Sequence, residues 1–350
     1  MSIFRSLVKK ETLHIVRDTR TMVITLLMPL VLLLLFGFAI STEVNDVRVV
    51  AVTDRHTEMS RDVLQRLGEN RYFTFLGLAG PGESDSLLRT GRTDAVLFIR
   101  TDDGRLSYQT MTDASNTNTA QASVMYIESV VNGHPGAGPV ISSTLYNPQL
   151  RSAYNFVPGI LGMIFILICA IMTSVSIVRE KENGTMNLLL VSPVSPSTII
   201  LGKLVPYFLL SCVILVSMLL MAYTLLGLPV SASIVSVVAV SLIYIILSLS
   251  VGLLVSTLVT TQLTALIVSA VMFMLPVIML SGMIFPIDNM PSVLQWVSCI
   301  IPARWYIDAM RRLMVQQLEL VHVAKDVVIL TAMTLVLLAV SILKFKSSTR

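Results

Sequence analysis

Arg179-Glu180-Lys181-Glu182-Asn183-Gly184-Thr185-Met186-Asn187-Leu188-Leu189-Leu190-Val191-Ser192-Pro193-Val194-Ser195-Pro196 is a short, partly polar stretch between two long apolar runs, residues 156–178 and 204–226. It opens with four consecutive charges. Asn183-Gly184 marks a turn, and Thr185 is placed to cap a short apolar helix over residues 186–191. Ser192-Pro193 stops that helix. Ser195 and Pro196 then supply the N-cap and first position of the next, and Lys203 closes the loop. Two local readings stand. One is a helix lying across the ends of two membrane spans, shaped to dock a soluble partner. The other is a solvated connector that carries charges and prolines as any such loop does.

Composition supplies the setting. Hydrophobic residues make up 54% of the 350 and charged residues 13%, against about 25% charged in a typical soluble domain. Runs long enough to cross a bilayer predict six spans, at residues 22–40, 156–178, 204–226, 234–257, 263–285 and 327–343. The first follows a structured charged segment and is longer than a signal-peptide core, so it reads as an uncleaved anchor. Residues 1–21 form a basic amphipathic segment whose apolar face, with Ile3, Phe4, Leu7, Val8, His14 and Ile15, also carries Glu11. Either Glu11 meets a protein partner or it pairs with a nearby lysine.

Residues 41–155 are the one long polar segment. Alternating strand and helix patterns predict a small α/β domain, with strands at 47–52, 72–78, 95–99, 106–111 and 140–146 and helices at 58–67, 84–90 and 116–131. The expected fold is therefore a polytopic α-helical membrane protein with an inserted α/β domain.

From Leu204 through Ile287 there is no Asp, Glu, Lys, Arg or His. A carrier driven by protons or sodium needs a titrating or coordinating group inside the membrane, so the energy is expected from elsewhere. Ser248, Gly252 and Ser256 form a small-residue face, read either as packing within the chain or as a seam between copies. Tyr207, Tyr223 and Tyr244 are either interfacial anchors or pathway-lining groups. Residues 286–312 are broken by Pro286, Pro291 and Pro302 and carry Trp296 and Trp305, a pattern of re-entrant or interfacial helices. Arg311 and Arg312 read as surface residues in preference to groups that meet lipid phosphate or substrate. Basic residues gather in segments 1–21, 179–203 and 344–350. That asymmetry puts these in the cytoplasm and residues 42–155 outside.

The chain has no Gly-x-x-x-x-Gly-Lys-Ser/Thr phosphate loop and no zinc spacing among His14, His56, His134 and His322. It is expected to bind no cofactor or metal and to hydrolyse no ATP. A membrane-anchored sensor or scaffold is the competing reading, and a membrane-embedded enzyme a weaker one.

Arg179-Glu180-Lys181-Glu182-Asn183-Gly184-Thr185-Met186, Leu188-Leu189, Ser192-Pro193-Val194, Leu201-Gly202-Lys203 and Pro206-Tyr207 together resemble the signature of type-2 ABC exporter permeases. Asn187 stands where that family commonly has Glu. Lys10-Glu11, Arg17-Asp18 and Pro29 resemble its amino-terminal connecting helix, and Asp113-Ala114-Ser115-Asn116 its periplasmic domain. The resemblance implies a permease fold similar to the G-subfamily-like exporters. Residues 179–203 would form the coupling helix on the ATPase, with Glu11, Arg179, Glu180, Glu182, Gly184, Thr185, Met186, Leu189 and Pro193 as coupling residues. Phe285, Pro286, Met290, Pro291 and Pro302 would close the outer end of the pathway. Implied partners are two ABC ATPase subunits that use ATP and Mg, a second permease copy (identical or a close paralogue) and a periplasmic adaptor. Residues 344–350 would be a cytoplasmic tail, and the location a bacterial inner membrane.

Overall fold

The computed structural model describes residues 3–39, 47–54, 57–70, 72–80, 82–90, 92–102, 105–112, 117–132, 152–186, 195–231, 233–285, 287 and 290–348. In chain order the elements are α1 (Ile3–Arg17), α2 (Thr19–Leu34), β1 (Val47–Thr53), α3 (Glu58–Glu69), β2 (Phe73–Leu78), α4 (Ser84–Arg89), β3 (Ala95–Asp102), β4 (Arg105–Thr112) and α5 (Thr117–Asn132). Then follow α6 (Ser152–Glu182), α7 (Pro196–Thr224), α8 (Ile234–Leu258), α9 (Gln262–Leu280), α10 (Ser292–Ser298), α11 (Pro302–Met314) and α12 (Ala324–Ser348). The chain divides into two compact units, one of Met1–Ile40 with Ser152–Arg350 and one of Ser41–Arg151.

In the Ser41–Arg151 unit the sheet order is β2-β1-β3-β4, with β1 parallel to β2 and β3, and β4 antiparallel to β3. Alternate residues Val47 and Val49 of β1 and Leu97 and Ile99 of β3 bury against Val63, Leu67, Ile127 and Val131 of α3 and α5. Thr57 and Ser60 form a capping box that starts α3. Arg48 grips Asp94 with two side-chain hydrogen bonds of 3.0 and 2.8 Å. The strand expected at 140–146 lies outside the described residues.

The other unit is helical. Six of its helical stretches are long and apolar enough to cross a membrane: Thr19–Gly37, Phe156–Glu182, Ser197–Thr224, Ile234–Leu258, Gln262–Leu280 and Leu320–Lys344. A helix satisfies its own backbone, which is what permits it in hydrocarbon. The first begins earlier than composition predicts. Asp18 breaks the chain after α1 and caps α2, accepting hydrogen bonds from the Thr21 N–H (3.2 Å) and hydroxyl (2.8 Å). Its last turns, Leu35–Ala39, are wound as a π-helix.

Helix α6 lies at the centre and packs on α2, α7, α8, α9 and α11. Small residues bring its neighbours close. A Cβ on Gly252 of α8 would fall 2.6 Å from the Ala170 carbonyl oxygen and 2.8 Å from Thr173 Cβ. Ser248, Gly252 and Ser256 are therefore a seam inside the chain, against α6. Near the other end of α6, a Cβ on Gly159 would fall 2.2 Å from Met283 Cγ.

Met283 belongs to the hairpin that follows α9. Gly282 has φ +80°, a left-handed conformation that glycine adopts without strain. Its carbonyl accepts a 3.0 Å hydrogen bond from Arg311. Arg311 is thus not the surface residue that its sequence context suggests but is half-buried as a hairpin tie, because the turn at Gly282 leaves a carbonyl needing a donor. Arg312 pairs with Asp308 at 2.8 Å. Phe285 is exposed, Gln295 donates to the Met290 carbonyl, Pro291 precedes α10, and Pro302 opens α11; Pro286 lies outside the described residues. Tyr244 neither anchors at an interface nor lines an opening: it is fully buried, stacked on Tyr306 with centroids 4.1 Å apart, and donates to the Gly162 carbonyl.

The Gly252 contact yields a test. Gly252→Leu is expected to cost at least the roughly 1–3 kcal/mol typical of overpacking, because the nearest atoms are backbone. The measurement is monodisperse yield from detergent. Wild-type yield from this variant would mean that the α6–α8 seam is looser than described.

Candidate functional site

The candidate site is the end of the bundle where α1, the carboxyl end of α6 and the first turns of α7 meet. Gly202 lets α1 lie against α7, since a Cβ there would sit 3.1 Å from Leu7 Cβ. One turn further along α1, Glu11 then faces Lys203. Both are buried, with 6% of their surface exposed. Ser176 and Tyr207 donate to Glu11 Oε1 at 2.6 and 3.0 Å. Lys203 Nζ lies 3.6 Å from Glu11 Oε2 and 3.2 Å from Glu180 Oε2, and Lys10 donates to Glu180 Oε1 at 3.2 Å.

One buried cation thus holds two carboxylates from two other helices. Burial by itself would raise the Glu11 carboxyl, but the Lys203 ammonium and the hydrogen bonds from Ser176 and Tyr207 outweigh it and hold the group below the usual carboxylate range. Glu11 is thus paired with a lysine, as one of its two sequence readings has it, and that lysine stands 192 residues away in the chain. Glu11 fixes the seat of α1, because a charge on an otherwise apolar face is stable there only when paired.

A second set ties the loop to α9. Glu182 Oε2 accepts from the Gln262 backbone N–H (3.1 Å) and side-chain amide (2.9 Å), while Arg179 Nε donates to Gln262 Oε1 at 3.0 Å. Glu182 sits at the amino end of α9, where a carboxylate favours the exposed N–H groups. Lys181 donates to the Ser256 carbonyl at the end of α8. Gly184 has φ +70°, so the predicted turn is present. Thr185 is not an N-cap: it is helical, and its hydroxyl donates back to the Glu180 carbonyl at 3.2 Å. Met186 is buried in the main core and anchors the loop. Leu189 and Pro193, with most of the predicted 186–191 helix, lie outside the described residues.

The structure thus gathers Glu11, Arg179, Glu180 and Glu182 at one end. Phe285, Met290, Pro291 and Pro302 belong to the hairpin after α9, a separate feature. Sequence reasoning missed Ser176 and Gln262 and gave Tyr207 no part in this network, since these roles depend on which helices touch. Lys203 carried a readable signal, as the last charge before the uncharged stretch from Leu204 through Ile287. No cluster of three or more metal-ligating side chains occurs among the described residues.

Residues 19–343 match the family of ABC-2 family transporter proteins. The chain is 30% identical to the probable multidrug ABC transporter permease YbhS of Escherichia coli strain K12, over 98% of this chain and 96% of that one. It is 29% identical to the probable multidrug ABC transporter permease YbhR of the same organism, over 90% of each. It is 24% identical to the inner membrane transport permease YhhJ, also of that strain, over 57% of this chain and 56% of the relative.

The lowered Glu11 carboxyl makes the α1 seat dependent on pH. A carboxyl whose folded value lies below its unfolded value of about 4.3 stabilises fully above that pH and loses the contribution as pH falls through the folded value. Thermal melts of the solubilised protein from pH 7 to 3 are expected to show a loss below about pH 4.3 that is smaller in Glu11→Gln. Lys203→Met, which leaves two buried carboxylates without their shared cation, is expected to cost about 3–5 kcal/mol at pH 7. Equal acid sensitivity of wild type and Glu11→Gln would remove Glu11 from the seat.

Proposed function

The chain belongs to the ABC-2 family of transporter proteins, and from that membership we propose that it works as a dimer, each copy on its own ATPase subunit, to export solutes. As a membrane subunit of an ABC transporter it is a permease, and the family implies an ABC ATPase partner. The sensor or scaffold reading falls behind this one.

The observation that carries the coupling proposal is the Gln262 bridge. The loop after α6 is bonded through Glu182 and Arg179 to the first residue of α9. Helix α9 runs from there to the hairpin at Gly282. A push on the loop therefore reaches both α6 and α9, the two helices that continue toward Gly159 and Met283. The ATPase would seat on residues 179–203 and on α1, with Lys203 keeping the two together.

On this proposal the α1 end is cytoplasmic, residues 42–155 are periplasmic, and the membrane is a bacterial inner membrane. The excess of basic residues at the α1 end supports that orientation. The multidrug names of YbhS and YbhR make apolar drugs the first cargo to assay.

Two experiments test the proposal. Cysteines at Ser86 and at Val230, both exposed, are expected to react with an impermeant maleimide in intact cells and one at Ser192 is not; Ser231 beside Val230 is buried against Tyr223 and is unsuitable, and labelling at Ser192 would invert the orientation. In the complex with its ATPase, Gly184→Val forces a β-branched residue to φ +70° at a cost of roughly 1–3 kcal/mol, and Gln262→Glu sets a carboxylate against Glu182. Both variants are expected to reach the membrane and bind the ATPase while losing cargo-stimulated hydrolysis and export. Normal export at normal levels would reduce the loop to a connector.

A further inference from the structure

Asp326 stands in the first turn of α12 and is 2% exposed. It belongs to a stretch long and apolar enough to cross a membrane, where an ionisable side chain is costly and is kept mainly for function. No hydrogen bond reaches its Oδ2 among the described residues. Its cation is Arg312 of α11, whose Nη1 lies 3.9 Å from that oxygen, beyond hydrogen-bond range. The same guanidinium is 2.8 Å from Asp308, one turn back on α11, and donates to the His322 carbonyl at 3.4 Å.

One cation is thus shared by two carboxylates that differ in what they hold. Arg312 and Asp308 are 39% and 38% exposed and stand four residues apart in one helix. Such a pair stabilises little and joins α11 to nothing else. Asp326 is on another helix, and among the described residues no other cation lies within 4 Å of it. Helix α11 therefore cannot leave the start of α12 without stranding a buried carboxylate. A second contact sits one turn earlier on α11, where Lys325 Nζ lies 5.7 Å from the centroid of the Trp305 ring.

Arg311 reaches the other way and holds the Gly282 carbonyl of the hairpin after α9. In that hairpin Met283 is 1% exposed and fills the space at Gly159 of α6. Two successive arginines on α11 therefore connect the hairpin to α12. We propose that Asp326 is a positioning residue for transport: through Arg312 it fixes α11, and through Arg311 the hairpin, so that the hairpin is held from α12 as well as from α6 and α9. A motion carried along α6 and α9 alters the fit of Met283 on Gly159 only if something outside those two helices holds the hairpin back. This role rests on the proposed motion of α6 and α9 with the loop, and the labelling below needs no ATPase and so reads the tie separately from that motion.

The test uses the full chain carrying Met283→Cys, solubilised and treated with a membrane-permeant maleimide, with labelled peptides resolved by mass spectrometry. A thiol at 283 is covered at Gly159 until the hairpin lifts, so its labelling rate reports that opening. Natural Cys169, 1% exposed on α6, reports any general loosening in the same sample. Asp326→Asn is expected to raise the rate at 283 about tenfold, between the few-fold worth of an exposed ion pair and the hundredfold or more of a fully buried one, and to leave Cys169 unchanged. Asp308→Asn leaves the guanidinium wholly to Asp326 and is expected not to raise the rate. Arg312→Lys keeps the charge but loses the fork that reaches both carboxylates, and should give a smaller rise than Asp326→Asn. In the complex with its ATPase, Asp326→Asn should hydrolyse ATP normally while export per ATP falls about tenfold, the same factor as the opening; Gly184→Val, by contrast, loses the stimulated hydrolysis itself. Wild-type labelling at 283 in Asp326→Asn, an equal rise in Asp308→Asn, a parallel rise at Cys169, or unchanged export per ATP would each overturn the proposal.

Discussion

Lys203 is a buried ammonium held between the carboxylates of Glu11 and Glu180. Desolvating such a group costs several kcal/mol, and its contacts offset that only if all are kept. The three residues stand on α7, α1 and α6. None of these helices can slide against the others without stranding a charge. An apolar contact of the same area would tolerate a shift, since one lipid-like surface is as good as another. The ion triad makes the α1 end of the bundle a single mechanical piece.

Helix α6 extends that piece through the membrane. Glu180 at one end and Gly159 near the other are 21 residues apart in one helix, about 30 Å at 1.5 Å per residue. Inside hydrocarbon there is little hydrophobic drive between helices, and close fit takes over. Gly252 against Ala170 and Gly159 against Met283 are such fits. The Tyr244–Tyr306 stack and the Tyr306–Ser241 hydrogen bond join α8 to α11 in the same way. Helix α9 runs beside α6 and is bonded to the same loop by Gln262. A motion at the loop therefore meets two helices that lead to one hairpin.

That arrangement explains why an uncharged interior suffices for a transporter of this family. The charged groups of the α1 end sit at the helix ends, where water or an ion pair can support their charge. Arg311 repeats the logic at the hairpin, where a half-buried cation holds a turn by its carbonyl.

The six spans, the polar insert and the strands and helices of its first part were legible in the sequence, because hydropathy and periodicity are local quantities. So was the loop, from its charges, its Asn183-Gly184 turn and its family resemblance, and Gly184 indeed takes a left-handed conformation. The partners of those charges were not legible. Glu11 meets a lysine 192 residues away, Glu182 serves the amino end of α9, and Arg311 is a tie instead of a surface residue. Ser248, Gly252 and Ser256 fit a seam within the chain or between copies equally well as a pattern. Only the approach of Ala170 to Gly252 decided between them. Sequence by itself determines which segments leave water, since that depends on each segment's own side chains. Tertiary structure decides which charges meet, since a buried charge is stable only opposite a partner that packing brings to it.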